Sequence, residues 1–241
     1  MIPNMNRNKL DRIKGEQVAA AIKNGADNPY LSDPVRPDVP VGTGRDVGTG
    51  RDLSLPHYQA ALSADLASLK ALTTLDEKAA AKKTMIETYW GFIDTYVKQG
   101  HVYPNTVAVW VMIWLFDVLD IERGLNLALD LIRQGVHRMP GKFDRDIPTF
   151  VCDSMYDWAD ALLKKEQAVS PYLDVLATAI ENEHWSLSPP VKSKIFAMLA
   201  KHKTREGKYA ECVHLCELAE QANPEGAGVK GLKAYAKAKL I

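Results

Sequence analysis

The run VAVWVMIWLF, residues 107–116, constrains the fold of this chain more than any other stretch. All ten of its residues are apolar. A membrane-spanning helix needs about twenty such residues, so the run is too short to cross a bilayer. A helix that is apolar on every side must then be buried among other parts of the protein. We therefore predict a buried helix here and no association with a membrane.

The chain has a helical pattern from His57 almost to its end. It is rich in helix-forming residues, has glycine stops such as Gly100 and Gly135, and shows no convincing strand alternation. We expect helices within residues 57–72, 73–100, 106–119, 122–134, 149–165, 171–183, 189–204, 208–222 and 226–240. The predicted fold class is all-α, with residues 57–241 forming a helical body.

A weak internal repeat predicts that some of these helices form hairpins. Residues 207–224, GKYAECVHLCELAEQANP, have the spacing of the second half of a tetratricopeptide unit. The segment that begins at Leu119 has the same spacing, with Gly124 matching Cys212 and Ala128 matching Cys216. The pattern indicates stacked helical hairpins that are partly tetratricopeptide-like.

The N-terminal region differs from the helical body. Residues 6–24 predict a short helix, followed by Gly25. The first 25 residues have five basic and two acidic side chains. We predict that residues 1–27 are a small helical module, and its local excess of positive charge makes it a candidate for DNA binding. Its candidate contact residues are Arg7, Lys9, Arg12, Lys14 and Lys23.

A proline- and glycine-rich segment, residues 28–56, follows this module. It contains the hexapeptide VGTGRD twice in succession, at 41–52. A phosphate-binding loop would run from a strand into the N-terminus of a helix, and neither the upstream nor the downstream sequence offers that context. We therefore predict a flexible linker, which makes the N-terminal module a flexible arm.

Composition limits the function classes. Thirty basic residues balance thirty acidic ones, so any affinity for nucleic acid must come from local clusters or from many copies in an assembly. The odd and sparse set of three cysteines, without a signal peptide, predicts a protein of a reducing cytoplasm. We expect no cofactor and no catalytic residue, because no triad, nucleophile elbow or nucleotide-binding motif is present.

Four groups of side chains are candidates for chemistry or binding. His202, Cys212, His214 and Cys216 could hold zinc, but the two cysteines fit better as small core residues. A set of five aspartates, which we call the carboxylate group, could bind the metal ions of a nuclease or could form a solvated helix face. Its members are Asp144, Asp146, Asp153, Asp157 and Asp160. Two sets of lysines could contact phosphate or be solvated helix faces, and the C-terminal set could also bind an acidic partner. They are Lys78, Lys82 and Lys83, and the C-terminal Lys230, Lys233, Lys237 and Lys239.

Three stretches resemble the M-type small terminase subunit of temperate tailed bacteriophages. They are EKAAAKKTMIETYWGFID (77–94), the apolar run with the helix that follows it (107–135), and HRMPGKFDRDIPTF (137–150). The most specific part is the loop Met139-Pro140-Gly141-Lys142. Pro140 and Gly141 suit a tight turn from which Lys142 and Arg145 project, so we expect Gly141 to matter for folding.

The resemblance implies a component of a genome-packaging motor. Members of that family recognise phage DNA, assemble into rings and pass the DNA to a large ATPase–nuclease subunit, and they are often called endonuclease subunits. We therefore expect double-stranded DNA, a large terminase subunit and further copies of this chain as partners. Two alternatives stay open, namely a tetratricopeptide-like scaffold that binds a peptide and a metal-dependent endonuclease that uses the carboxylate group.

Overall fold

The computed structural model describes residues 55–183 and 185–241, and this part of the chain contains nine α-helices and no strand. The prediction of an all-α fold is confirmed. The N-terminal module and almost all of the linker lie outside the described residues. The helices are α1 (Leu55–Ala71), α2 (Leu75–Lys98), α3 (Thr106–Asp117), α4 (Ile121–Gln134), α5 (Ile147–Lys164), α6 (Tyr172–Asn182), α7 (Pro189–Arg205), α8 (Tyr209–Ala222) and α9 (Lys230–Ala238).

Helices α1 and α9 start at positions other than the expected ones, and the backbone properties of proline and glycine are consistent with both starts. Helix α1 begins at Leu55 and includes Pro56 in its first turn, where the missing N–H of proline costs nothing. Helix α9 begins at Lys230 and not at residue 226. Gly228 has a φ of +66°, which lies in the left-handed region, so a right-handed helix cannot run through it.

The described chain divides at Ile147 into two compact units. The N-terminal unit consists of α1 to α4 and the loop that follows α4. Helix α3 forms its core, because residues 107–116 are all buried as the sequence predicts. The helix boundaries have clear causes. Thr74 and Glu77 form a capping box at the start of α2, and the Asn105 side chain caps α3.

The C-terminal unit extends from Pro148 to Ile241, and α7 packs closely against α8 within it. Cys212 and Cys216 are both fully buried. Thr204 of α7 donates a hydrogen bond to the Cys212 sulfur at 3.0 Å, so Cys212 faces the preceding helix. Gly124 also faces the preceding helix in the α3–α4 hairpin, where a Cβ atom added to it would lie 3.3 Å from the Leu115 Cβ atom. The correspondence between the two hairpins therefore extends to these small residues.

No helix in the described ranges is both long enough and apolar enough to cross a membrane.

Candidate nucleic-acid interface

The loop between α4 and α5 presents Lys142 on a tight turn. Helix α4 ends at Gln134 and is followed by its C-cap residue Gly135, whose φ is +67°. Further along the loop, the Phe143 N–H donates a hydrogen bond to the Pro140 carbonyl at 2.9 Å and closes the turn. Gly141 is not among the residues with positive φ, and a Cβ atom there would have nothing within 4 Å. The turn is therefore present, but its geometry does not require glycine at position 141.

Aromatic side chains hold this turn against the core helix α3. The Lys142 ammonium lies 4.4 Å from the ring centroid of Trp110 and 5.0 Å from that of Phe143. The two rings meet edge to face with centroids 6.1 Å apart. A lysine over an indole ring gains about 0.5–1 kcal/mol at an exposed site. The contact fixes the direction of Lys142 while its residue as a whole stays exposed.

A second lysine reaches the end of α3 from α2. The Lys82 Nζ atom donates to the Asp117 Oδ2 atom at 2.6 Å. The Lys82 side chain is 21% exposed and the Asp117 side chain 41% exposed, so the ion pair remains open to solvent on the carboxylate side. Lys82 thus has a defined position and does not extend freely from a solvated helix face.

The charge of Lys142 interacts with the charges of Lys82 and of a third lysine. Partial burial lowers the pKa of the Lys142 ammonium, the Asp117 carboxylate opposes that shift, and repulsion from Lys82 and Lys70 adds to it. Lys70 lies in the last turn of α1. We call Lys70, Lys82 and Lys142 the lysine cluster. Three segments of the chain contribute to it, and one of its members, Lys82, forms an ion pair with the Asp117 carboxylate.

The other DNA-binding candidates have different positions. Lys78 is half-buried and Lys83 is exposed on α2. Lys78 shares a helix face with Lys82, whereas Lys83 is turned about 100° away. The N-terminal candidates, Arg7, Lys9, Arg12, Lys14 and Lys23, lie outside the described residues. Sequence reasoning missed Lys70 and Asp117, because neither stands in a basic run or a recognisable motif.

A polar network holds the other end of the loop. The His137 Nδ1 atom accepts from the Asn105 N–H at 3.2 Å, and the Nε2 atom lies 2.7 Å from the Gln134 Oε1 atom. The Tyr96 hydroxyl also donates to Gln134 and lies 3.2 Å from His137. Burial lowers the pKa of the His137 imidazole to about 4. Neutral His137 therefore joins the loop to the N-terminus of α3.

Two of the C-terminal lysines form ion pairs with glutamates of the C-terminal unit. The Lys233 ammonium pairs with Glu220 at 2.8 Å and with Glu217 at 3.3 Å, and Lys237 lies 3.8 Å from Glu217. These pairs join α9 to α8. At least these two lysines are therefore engaged with carboxylates of the same chain, which weakens the case for phosphate binding by this helix.

The zinc and carboxylate candidates do not form a metal-binding group among the described residues. The His202 Nε2 atom hydrogen-bonds to the Ala159 carbonyl at 3.0 Å, and burial lowers the pKa of that imidazole. His214 is exposed, whereas Cys212 and Cys216 are buried. Of the carboxylates, Asp160 forms an ion pair with Lys164 at 2.6 Å. Asp144 and Asp146 belong to the N-terminal unit, and Asp153, Asp157 and Asp160 to the C-terminal unit.

The described part of the chain is all-helical, and Lys82 and Lys142 of the lysine cluster contact its core helix α3. A family model described as "Phage small terminase subunit" matches residues 59–186, more than half of the chain. The chain therefore belongs to the phage small terminase subunit family.

Two relatives have descriptions that agree with this family. The "Probable terminase, endonuclease subunit" of Haemophilus phage HP1 (strain HP1c1) is 30% identical over 188 residues, which cover 72% of this chain and 66% of that protein. The "Terminase, endonuclease subunit" of Escherichia phage P2 is 30% identical over 87 residues, which cover 36% of this chain and 35% of that protein. The chain thus spans just under two thirds of the length of the first relative and about a third of the second. No solved structure matches.

Proposed function

We propose that this protein is the DNA-binding adaptor of a phage packaging motor. In this role it binds double-stranded phage DNA at the packaging start, assembles into a ring, and recruits or regulates the large ATPase–nuclease subunit. Membership of the small terminase family supports the role as a whole. The lysine cluster is the single structural observation that carries the DNA-binding part of the proposal.

The lysine cluster suits a phosphate backbone better than a specific base sequence. Three lysines influence one another there and one of them is paired with a carboxylate, which leaves a local excess of positive charge on a protein whose net charge is zero. Contacts between lysine and phosphate supply affinity without reading sequence. Copies arranged in a ring would repeat the cluster and multiply a weak individual contact. Lys78 and Lys83 on the same helix would extend it.

The N-terminal module is the second DNA-binding element of the proposal. Residues 1–27 carry the basic candidates Arg7, Lys9, Arg12, Lys14 and Lys23, and residues 28–56 would tether them to the helical body. A flexible tether of about 29 residues has a root-mean-square reach of roughly 30 Å. Several modules around a ring could then reach one DNA molecule without following the symmetry of the ring.

The proposal is tested by the mass and the DNA affinity of the full-length protein. Native mass spectrometry should find a closed oligomer, and a gel shift with a double-stranded fragment should weaken steeply as salt increases. A monomer with no affinity for DNA at low salt would contradict both parts. That result would favour the alternative of a peptide-binding scaffold.

The descriptions of the two relatives favour endonuclease activity as the second candidate function. Two-metal nucleases hold their ions with clustered carboxylates, and Asp144, Asp146, Asp153, Asp157 and Asp160 are the candidates here. Plasmid DNA incubated with the purified chain and Mg²⁺ tests this function. We expect the plasmid to remain intact. Cleavage that a chelator abolishes, and that Asp157→Asn or Asp160→Asn reduces, would establish the nuclease.

A further inference from the structure

Asp117 stands at a position that the stability of its own helix does not explain. It is the last residue of α3, and α3 has no basic residue in its last turn. The unpaired carbonyls at a helix C-terminus carry a partial negative charge, which makes a carboxylate there unfavourable. The favourable contact that Asp117 makes lies outside α3, in the ion pair with Lys82 of α2.

The ion pair between Asp117 and Lys82 is a contact that a bound phosphate group could also make. The Asp117 Oδ2 atom accepts a hydrogen bond from Lys82 at 2.6 Å, and the negative charge of Asp117 acts to raise the pKa of Lys142. Carboxylate and phosphate oxygens are both acceptors for a lysine ammonium, which binds either one as a point charge. The Asp117 side chain is 41% exposed, so solvent and ligands can reach it.

We infer that Asp117 is an internal competitor for the DNA phosphates that the lysine cluster binds, and that DNA binding replaces the Lys82–Asp117 ion pair by a Lys82–phosphate pair. This inference rests on the proposed function, because it concerns the regulation of the same surface. The carboxylate lowers the affinity of the cluster for anions in general. A duplex, with its dense phosphates, can displace it, and the returning carboxylate favours release when the DNA has to move.

The substitution Asp117→Asn tests the inference, with Asp94→Asn as a matched control. Asp94 lies in the same unit, pairs with Lys98 at 2.7 Å and has a side chain that is 42% exposed. Both variants remove one negative charge from a lysine–aspartate pair, so any effect of net charge alone is the same in both. The probe is a short double-stranded DNA of arbitrary sequence, titrated into the full-length protein at several salt concentrations.

We expect Asp117→Asn to bind DNA about threefold to fivefold more tightly than Asp94→Asn, which is the range that the loss of one competing exposed pair allows. The plot of log affinity against log salt should become steeper by up to about 0.9, because the unsubstituted protein gives up one internal ion pair for one of its phosphate contacts and the variant does not. In a Lys82→Ala background, the gain from Asp117→Asn should shrink, because the displaced ion pair no longer exists.

The outcomes separate this inference from the proposed function. Equal DNA affinities of Asp117→Asn and Asp94→Asn, with clear binding by the unsubstituted protein, would overturn the inference and leave the proposed function standing. Absence of DNA binding by the unsubstituted protein and by both variants would overturn both. Circular dichroism establishes that each variant is folded. If Asp117→Asn does not fold, Asp117→Ser provides the same comparison against Asp94→Ser.

Discussion

The Lys142 ammonium lies 4.4 Å from the ring centroid of Trp110, which joins the loop after α4 to the core helix α3. Trp110 itself is only 8% exposed, so it serves as a fixed surface for the lysine. Lys142 also interacts electrostatically with Asp117 at the end of α3, the residue that Lys82 reaches from α2. The most family-specific loop of the sequence is thereby part of the lysine cluster.

Substitution of Lys142 by alanine should weaken DNA binding. The loss of one phosphate contact should reduce affinity by about threefold to tenfold and lower the salt slope by about 0.9. Fluorescence anisotropy with a labelled duplex measures both quantities. Lys98→Ala is the control, since Lys98 is an exposed lysine of the same unit that pairs with Asp94. Equal losses in the two variants would mean that only net charge matters.

Deletion of residues 1–54 should leave the helical body folded and its oligomer intact. The cut preserves α1, which begins at Leu55. We expect DNA affinity to fall by about tenfold or more, because the basic candidates of the N-terminal module are lost. Deletion of one VGTGRD copy is the control and should change little, because loop length costs little free energy. If that small deletion abolished DNA binding, the linker would be a contact element.

Gly141→Ala should be tolerated, contrary to the expectation from the turn sequence. Its φ lies outside the left-handed region and a Cβ atom there meets nothing within 4 Å, so the free energy of unfolding should stay the same or increase slightly. Gly135→Ala is the matched comparison. Because Gly135 has a φ of +67°, its replacement by alanine should lower the free energy of unfolding by about 1 kcal/mol. Urea unfolding of the two variants measures the difference, and a larger loss at Gly141 would contradict the structure.

His137 should make the protein less stable in mild acid. Its pKa of about 4 in the folded state lies below the ordinary value of 6.5, so the unfolded chain binds more protons between these two values. The free energy of unfolding should therefore decrease as the pH falls from 6.5 towards 4, by at most about 1.4 kcal/mol per pH unit from this group. His137→Gln removes the titration. Unfolding curves at pH 7 and pH 5 should differ less in this variant, and an unchanged difference would exclude His137 as the cause.

Lys203→Ala should destabilise the C-terminal unit strongly. The Lys203 side chain is 5% exposed and its Nζ atom lies 2.5 Å from Asp174 and 3.3 Å from Glu211. Its loss leaves these carboxylates without their cation, which should lower the free energy of unfolding by about 3 kcal/mol. Lys208→Ala is the control, because Lys208 is 46% exposed and pairs with Glu206, and we expect it to cost under about 1 kcal/mol. Thermal unfolding should separate the two variants clearly.

The helices and much of the core follow directly from the order of residues in the chain. The apolar run 107–116 has no polar face, so burial was its only outcome in water. The Thr74–Glu77 capping box and the left-handed Gly135 are local signals that act within a few residues. Secondary structure of this kind depends on neighbours in sequence, which explains the close agreement of the helix boundaries.

Tertiary packing, in contrast, decides which residues belong to the candidate interface. The sequence singled out Lys82 within a basic run and Lys142 within a loop, but it did not relate them to each other. Lys70 and Asp117 carried no signal at all. Packing against α3 pairs Lys82 with Asp117 and sets Lys142 over Trp110, and Lys70 of α1 is near enough to repel Lys142. Electrostatic interaction depends on distance in space, and a linear sequence does not contain that distance.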